Sequence, residues 1–117
     1  MRLLLVDDDA RLRRLIRNIL ADHLQSVDDC IECSDGAEAV AAYRKLNPDW
    51  VLMDIRLPGM DGLEATRRIL REDPTARVII MTQYNDPLYR EEAHEVGAKE
   101  YLSKEHLDEL PALFEGS

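Results

Sequence analysis

The sequence predicts an α/β domain in which a parallel β-sheet is covered by helices on both faces. Short, continuous apolar runs alternate along the chain with segments whose apolar residues recur at helical spacing. Strands buried on both faces have such continuous runs, and parallel strands are usually joined by helical crossovers. The alternation therefore predicts a doubly wound sheet of five strands, and 117 residues suit one domain, residues 1–117.

Five apolar runs are the candidate strands. The first is LLLV; the third and fourth are equally continuous, whereas the second is less apolar. We expect the strands at residues 3–6, 27–33, 50–53, 78–81 and 100–103.

Helices are predicted after each strand. Apolar residues recur at helical spacing through the first of them, at Leu12, Leu15, Ile16, Ile19 and Leu20. The first helix is expected over residues 10–23 and the third over residues 63–72. The second follows Asp35-Gly36 and reaches about residue 46, and the fourth has Pro87 in its first turn and closes at Gly97. Because proline is tolerated only in a first turn, Pro111 predicts that the last helix begins near residue 108 or is kinked.

Composition and charge restrict the classes of function. The formal net charge of −9 argues against direct nucleic-acid binding by this domain, because phosphates would be repelled. No apolar run approaches the ~20 residues that a membrane span needs. The first residues make a poor signal peptide, since the apolar run leads into three aspartates, and a cytoplasmic location is expected.

Cys30 and Cys33 form a C-x-x-C pattern in or beside the second strand. A separation of three places strand side chains on opposite faces, which suits neither a redox pair nor a metal site. Two small buried thiols are therefore expected.

Polar residues follow four of the predicted strands: Asp7-Asp8-Asp9, then Asp54, Thr82 and Lys104. Right-handed crossovers bring the carboxyl ends of parallel strands to one edge of the sheet, where ligands bind. These side chains are thus expected to form an acidic cleft with one hydroxyl and one ammonium group.

The chemistry of such a cleft points to a phosphoryl group. Neighbouring carboxylates repel each other unless a cation joins them, and hard oxygen ligands favour Mg²⁺, with Mn²⁺ as an alternative. Lys104 and Thr82 would contact phosphoryl oxygens, which leaves Asp54 as a nucleophile. Each residue also has a simpler reading: Asp9 suits a helix N-cap, and lone lysines and threonines are usually solvated or structural.

The motifs LLLVDDD, VLMDIRLPGMDG, VIIMT and GAKEYLSK together resemble the receiver domain of bacterial two-component response regulators. The resemblance covers essentially the whole chain and is greatest to the NarL-type subfamily. It implies a flavodoxin-like three-layer sandwich with strand order 2-1-3-4-5. Members of that subfamily usually carry a C-terminal helix-turn-helix DNA-binding domain, which this sequence lacks.

The resemblance also implies roles for individual residues. Asp54 would accept a phosphoryl group from a phosphohistidine of a sensor histidine kinase. Asp8, Asp54 and the backbone carbonyl of Arg56 would ligate Mg²⁺, with Asp7 acting largely through water. Thr82 and Lys104 would hold phosphoryl oxygens.

Tyr101 matches the aromatic residue that switches inward in the family. The resemblance implies that phosphorylation alters a surface of the domain that acts on an output domain. Control of transcription is the expected output, and phosphorylation-dependent dimerisation is a further expectation. Such a chain is a signalling phosphoacceptor, not an enzyme acting on other molecules.

Four positions depart from the family pattern. Gln83 stands where a small residue is usual, and Arg56 and Tyr84 place bulky side chains beside the site. We expect Arg56 and Tyr84 to slow hydrolytic loss of phosphate. Glu105 replaces the usual proline after Lys104, so a trans peptide or a shifted loop is expected.

Two alternative functions remain at this point. Asp7-x-Asp9 superficially fits the D-x-D pattern of haloacid-dehalogenase-like phosphohydrolases, although Arg11 stands where threonine or valine is expected. The other alternative is an atypical receiver that acts as an interaction module without phosphorylation.

Overall fold

The computed structural model describes residues 1–24, 29–83 and 87–115. Its centre is one parallel sheet with the strand order β2-β1-β3-β4-β5, as predicted. The strands are β1 (Leu3–Val6), β2 (Cys30–Cys33), β3 (Trp50–Asp54), β4 (Val78–Thr82) and β5 (Glu100–Ser103). The predicted start of β2 and the whole of Tyr84 lie outside the described residues.

Within the described ranges, five α-helices cover the two faces of this sheet. They are α1 (Ala10–Ile19), α2 (Gly36–Leu46), α3 (Gly62–Glu72), α4 (Pro87–Val96) and α5 (Leu110–Glu115). The fold is therefore the predicted three-layer, flavodoxin-like arrangement.

Two helix boundaries differ from the prediction. The helix expected over residues 10–23 ends at Ile19, and a 3₁₀ turn over Ala21–His23 follows. Apolar spacing does not separate the two forms, because both place residues three apart on one side. The last helix is preceded by a 3₁₀ segment, Lys104–Glu109, with a kink at His106, so that Pro111 falls in the first turn of α5.

The two faces of the sheet have separate cores. In β1, Leu4 and Val6 face the core beneath α2, α3 and α4, whereas Leu3 and Leu5 face the core beneath α1 and α5. In the second core the ring of Trp50 meets that of Phe114 edge-on, with centroids 5.2 Å apart.

Cys30 and Cys33 follow the same alternation and lie in opposite cores as free, buried thiols. Burial is the main cause that raises the pKa of Cys30 to about 11 and that of Cys33 to about 12. The prediction of two structural thiols is confirmed.

Aspartates begin the three helices that follow β1, β2 and β3. The Asp9 side chain accepts hydrogen bonds from the amides of Arg11 and Leu12, and Asp35 and Asp61 cap α2 and α3 in the same way. These caps fix the loops that leave the carboxyl edge of the sheet, where the polar cleft lies.

Candidate functional site

A polar cleft lies at the carboxyl edge of the sheet, between the loops that follow β1, β3, β4 and β5. Its lining is mostly charged and comprises Asp7, Asp8, Asp9, Asp54, Ile55, Arg56, Gln83 and Lys104. Strand β3 lies between β1 and β4, so the loops carrying Asp7 and Asp54 are adjacent. The predicted convergence of the acidic residues and Lys104 is therefore present.

Asp7 is the most enclosed carboxylate of the cleft. It is 0% exposed, its amide donates to the Cys33 carbonyl at 3.1 Å, and its Oδ1 accepts from the Asp9 amide at 2.9 Å. Its Oδ2 lies 2.7 Å from Lys104 Nζ as an ion pair, although no hydrogen bond of favourable angle reaches this oxygen. This oxygen therefore retains capacity for a further ligand.

Asp54 ends β3 at the centre of the cleft and is 4% exposed. Its Oδ2 lies 3.3 Å from Lys104 Nζ, and its Oδ1 accepts a long 3.4 Å hydrogen bond from the Arg56 amide. Burial, reinforced by the charge of Asp7, raises the pKa of Asp54 to about 6, against the opposing effect of Lys104. At neutral pH the carboxylate form still predominates.

Lys104 is the cation that lies against the buried carboxylates of the cleft, and its side chain is 10% exposed. Burial opposes its charge, but its interactions with the Asp7 and Asp54 carboxylates outweigh burial and raise the pKa of Lys104. The ammonium group is thus charged and positioned between the two buried carboxylates.

The acidic residues fit a hard divalent cation. Asp7, Asp8 and Asp54 each offer a carboxylate oxygen, and these oxygens lie within 4.8 Å of one another. Mg²⁺ takes one or two protein carboxylates together with other oxygen ligands, and the buried Asp7 Oδ2 has capacity for such a contact. The donor set therefore suits Mg²⁺ or Mn²⁺ better than a softer metal.

Thr82 and Gln83 occupy different environments although they are neighbours. Thr82 ends β4, pairs in register with Ser103 and is 0% exposed, whereas Gln83 is exposed and lines the cleft. The Thr82 side chain is not among the described residues that line the cleft. The structure thus brings the end of β4 to the cleft but keeps Thr82 beneath its surface.

Arg56 lies at the rim of the cleft and contacts α4. Its Nη2 donates to the hydroxyl of Tyr89 at 3.3 Å. A smaller cavity between the loop after β3 and α4 is lined by both residues. Tyr89 was not anticipated from the sequence, because no motif marked it.

Two glycines bring the loop after β3 close to its neighbours. A Cβ on Gly62 would lie 1.9 Å from the Asp54 carbonyl oxygen, and a Cβ on Gly36 would lie 2.5 Å from the Met60 carbonyl oxygen. Each glycine therefore allows a backbone approach that no side chain would permit. The proline and glycine of residues 57–62 are typical of a turn, but the sequence alone does not indicate these contacts.

Tyr101 lies in β5 on the side of the sheet that faces α4. It is half-buried and packs against the core, and the Arg90 guanidinium lies over its ring, 4.9 Å from the centroid.

At the end of β5, the Ser103 hydroxyl accepts a hydrogen bond from the Glu105 amide at 3.2 Å. No peptide bond within the described residues is cis, as expected without a proline at position 105.

Comparison with known proteins assigns the family. Residues 3–115 match the response regulator receiver domain. The chain belongs to the response regulator receiver family. This family is that of two-component signalling proteins, and transcriptional regulators are among the relatives of the chain.

The chain covers most of the length of some relatives and about half of others. The chain is 38% identical over 104 residues to the chemotaxis protein CheY of Listeria monocytogenes, covering 89% of this chain and 86% of that protein. It is 36% identical over 104 residues to the response regulator GacA of Pseudomonas viridiflava, covering 89% of this chain but 48% of GacA.

A similar solved structure is that of a LuxR-family two-component response regulator from Aurantimonas sp. SI85-9A1. The two share 34% identity and a TM-score of 0.85, over 98% of this chain and 82% of the other. A DNA-binding LuxR-family regulator from Staphylococcus aureus has 27% identity and a TM-score of 0.85, over 99% of this chain and 98% of the other. These similarities support the resemblance to the NarL-type subfamily. Chemotaxis proteins are also among the similar proteins.

The family match and the helices of the structure bear on two questions from the sequence: the phosphohydrolase alternative and membrane-spanning segments. The family match disfavours the haloacid-dehalogenase alternative. Across the described ranges, no helix combines the length and apolar character required to cross a bilayer.

Proposed function

We propose that this receiver domain accepts a phosphoryl group on Asp54 from a phosphohistidine of a sensor histidine kinase. The observation that carries the proposal is the placement of Asp54 in the cleft: a buried carboxylate beside Asp7 and 3.3 Å from the Lys104 ammonium. A carboxylate mainly ionised at neutral pH and held at a cleft edge suits the role of nucleophile.

In the proposed transfer, an Asp54 carboxylate oxygen forms a bond to phosphorus as the phosphorus–nitrogen bond to imidazole breaks. The imidazole leaves with that electron pair and takes up a proton. The product is an acyl phosphate on Asp54. The attacking and leaving atoms would lie roughly in line, as in other phosphoryl transfers.

Lys104 would stabilise the developing charge on the phosphoryl oxygens. Its ammonium already lies near Asp54, so a short movement from Asp7 would bring it to the new group. Thr82 is the proposed second donor, and its burial beneath the cleft implies that the end of β4 must move before the hydroxyl reaches a phosphoryl oxygen.

The proposed ligands of Mg²⁺ are Asp7, Asp8, Asp54 and the Arg56 backbone carbonyl. The ion supplies, when bound, neutralising charge for the carboxylates and the phosphoryl oxygens. The grouping of three carboxylates supports this assignment, and the role of the Arg56 carbonyl rests on the family resemblance.

Phosphorylation would then shift a two-state equilibrium of the surface formed by α4, β5 and the segment after it. Thr82 and Tyr101 are the proposed switch residues. The partners follow from the family: a sensor kinase, an output domain that binds DNA and controls transcription, and a second copy of the phosphorylated chain. With a net charge of −9, direct nucleic-acid contact is assigned to the output domain.

Acetyl phosphate and Mg²⁺ provide the test. We expect intact-mass spectrometry to show one phosphoryl group that is stable in acid and labile in base. Asp54→Asn should abolish the gain, whereas Asp22→Asn, at an exposed position in the 3₁₀ turn, should not. A parent protein that gains nothing would favour the phosphorylation-independent interaction module, and turnover that depends on Asp7 would favour a hydrolase.

A further inference from the structure

The backbone between Asp7 and Asp8 is held by a side chain of α1, the helix that begins directly after it and packs on one face of the sheet. Arg13 lies in the first turns of α1, and its Nη1 donates to the Asp7 carbonyl oxygen at 2.5 Å. Arg13 is not among the described residues that line the cleft. It therefore touches the acidic loop through the main chain and leaves the carboxylates accessible.

Arg13 is itself oriented by a second contact. Its Nε donates to Glu32 Oε1 at 2.9 Å, while Glu32 Oε2 accepts from Arg17 Nη1 at 2.8 Å. The Arg13 side chain is 17% exposed and that of Glu32 is 32% exposed. Since Glu32 lies in β2 and pairs in register with Leu5 of β1, this carboxylate is fixed to the sheet.

These contacts restrict the peptide group that joins Asp7 and Asp8. A peptide group is planar, so fixing the Asp7 carbonyl also fixes the direction of the Asp8 amide. Asp7 is held in addition by two hydrogen bonds: its amide donates to the Cys33 carbonyl, and its Oδ1 accepts from the Asp9 amide. Arg13 thus completes the restraint at the point from which the exposed Asp8 side chain departs.

We propose that Arg13, oriented by Glu32, is a positioning residue that preorganises the Asp7 and Asp8 carboxylates for a divalent cation. The inference rests on the proposed function only in taking Mg²⁺ as the ion. Its basis is the contact path from β2 through Glu32 and Arg13 to the Asp7 carbonyl.

The sign of the effect separates positioning from simple electrostatics. A positive guanidinium near a cation site repels the cation, so removing its charge should tighten Mg²⁺ binding if Coulomb interaction were the whole effect. Positioning predicts the reverse, because freeing the Asp7–Asp8 peptide adds conformational freedom that binding must remove.

The test is a Mg²⁺ titration of the metal-free protein followed by amide resonances in ¹⁵N–¹H NMR spectra, which also report whether each variant is folded. We expect Arg13→Gln to raise the Kd for Mg²⁺ about tenfold, the scale typical of residues that orient metal ligands. Arg13→Lys keeps the charge but loses the planar fork that reaches two acceptors, and should raise Kd similarly. Arg14→Gln, an exposed neighbour, should leave Kd unchanged or slightly lower.

An unchanged or lower Kd in Arg13→Gln would overturn the proposal, as would an equal rise in Arg14→Gln. If the Arg13 variants do not fold, Glu32→Gln decides the question: a raised Kd in a folded protein supports the positioning path, and an unchanged Kd overturns it. Parent protein that binds Mg²⁺ and is labelled by acetyl phosphate supports the proposed function whatever the Arg13 result. Parent protein that binds no Mg²⁺ overturns both.

Discussion

The Lys104 ammonium lies 2.7 Å from Asp7 Oδ2, closer than its 3.3 Å separation from Asp54 Oδ2. In this state the lysine is therefore held mainly by the carboxylate that is not the proposed acceptor. The ammonium group offsets the repulsion between the two buried carboxylates, and the contact also keeps it within reach of Asp54. It also makes Lys104 part of the stability of the domain as well as of its chemistry.

Replacing Lys104 by methionine should destabilise the metal-free protein at pH 7 by about 3 kcal/mol, because two buried carboxylates lose their partner. Urea denaturation with a chelator present measures the free energy of unfolding. Mg²⁺ should restore part of the loss by supplying another cation, while phosphorylation should remain slow. Lys99→Met, in the exposed turn before β5, is the matched control and should change stability little. Equal destabilisation by both changes would contradict the assigned role of the ion pair.

The raised pKa of Asp54 predicts a defined pH dependence of stability. Its folded-state pKa of about 6 lies above the ordinary value of 3.8, so its contribution is fully present below pH 3.8 and is lost as pH rises through about 6. Asp54→Asn removes this titration. Relative to the parent, the variant should therefore gain on the order of 1–3 kcal/mol in unfolding free energy between pH 4 and pH 7 in chelator. A parent–variant difference that stays constant over this range would show that burial does not raise the pKa.

Gly62→Ala should push the start of α3 away from the end of β3, where Asp54 lies. The added Cβ would meet the Asp54 carbonyl oxygen at 1.9 Å, so the helix start or the loop has to shift. We expect a loss of about 1–3 kcal/mol in unfolding free energy and slower labelling by acetyl phosphate. Gly59→Asn is the control, because φ is +71° there, nothing lies within 4 Å of its Cβ position, and asparagine tolerates this backbone conformation. Labelling of Gly62→Ala at the parental rate would contradict the idea that this close approach positions Asp54 for phosphorylation.

Arg56 at the rim and, as expected from the sequence, Tyr84 should slow hydrolysis of the acyl phosphate by obstructing water. The double change Arg56→Ala, Tyr84→Ala should lower the barrier by about 1 kcal/mol, which is roughly a fivefold faster loss of phosphate. Tyr89→Phe tests the described contact by itself, since it removes only the hydroxyl that receives the Arg56 hydrogen bond. Decay of purified phosphoprotein, followed by intact mass, gives the rates. A double variant that loses phosphate no faster than the parent would defeat the idea.

The two cysteines should be unreactive in the folded protein. The pKa values of about 11 and about 12 leave almost no thiolate at pH 8, and both side chains are buried. A disulfide reagent should therefore label neither thiol under native conditions and both in denaturant. Rapid labelling of the native protein would point to a reactive site instead.

Much of the fold followed from the sequence because β1, β3 and β4 are continuous, mostly apolar runs and several turns contain glycine, proline and aspartate. The convergence of Asp7, Asp54 and Lys104 followed from topology, since parallel strands end at one edge. The 3₁₀ turn at Ala21–His23 did not, because its spacing resembles that of an α-helix.

The supporting contacts of the site were less predictable. Arg13 is one of four arginines in α1, and only the structure shows its hydrogen bond to the Asp7 carbonyl. Likewise, the clash distances at Gly36 and Gly62 depend on how α2 and α3 pack against one loop. Such contacts join residues distant in sequence and leave no local pattern.

The most direct test of the central claim is to locate the phosphoryl group chemically. Protein labelled with acetyl phosphate and Mg²⁺ can be reduced with borohydride, which converts an aspartyl phosphate to homoserine, and then mapped by tandem mass spectrometry. The account predicts homoserine at position 54 alone, and none in protein treated without a phosphodonor. Homoserine at Asp7 or Asp8, or undiminished labelling of Asp54→Asn, would contradict it.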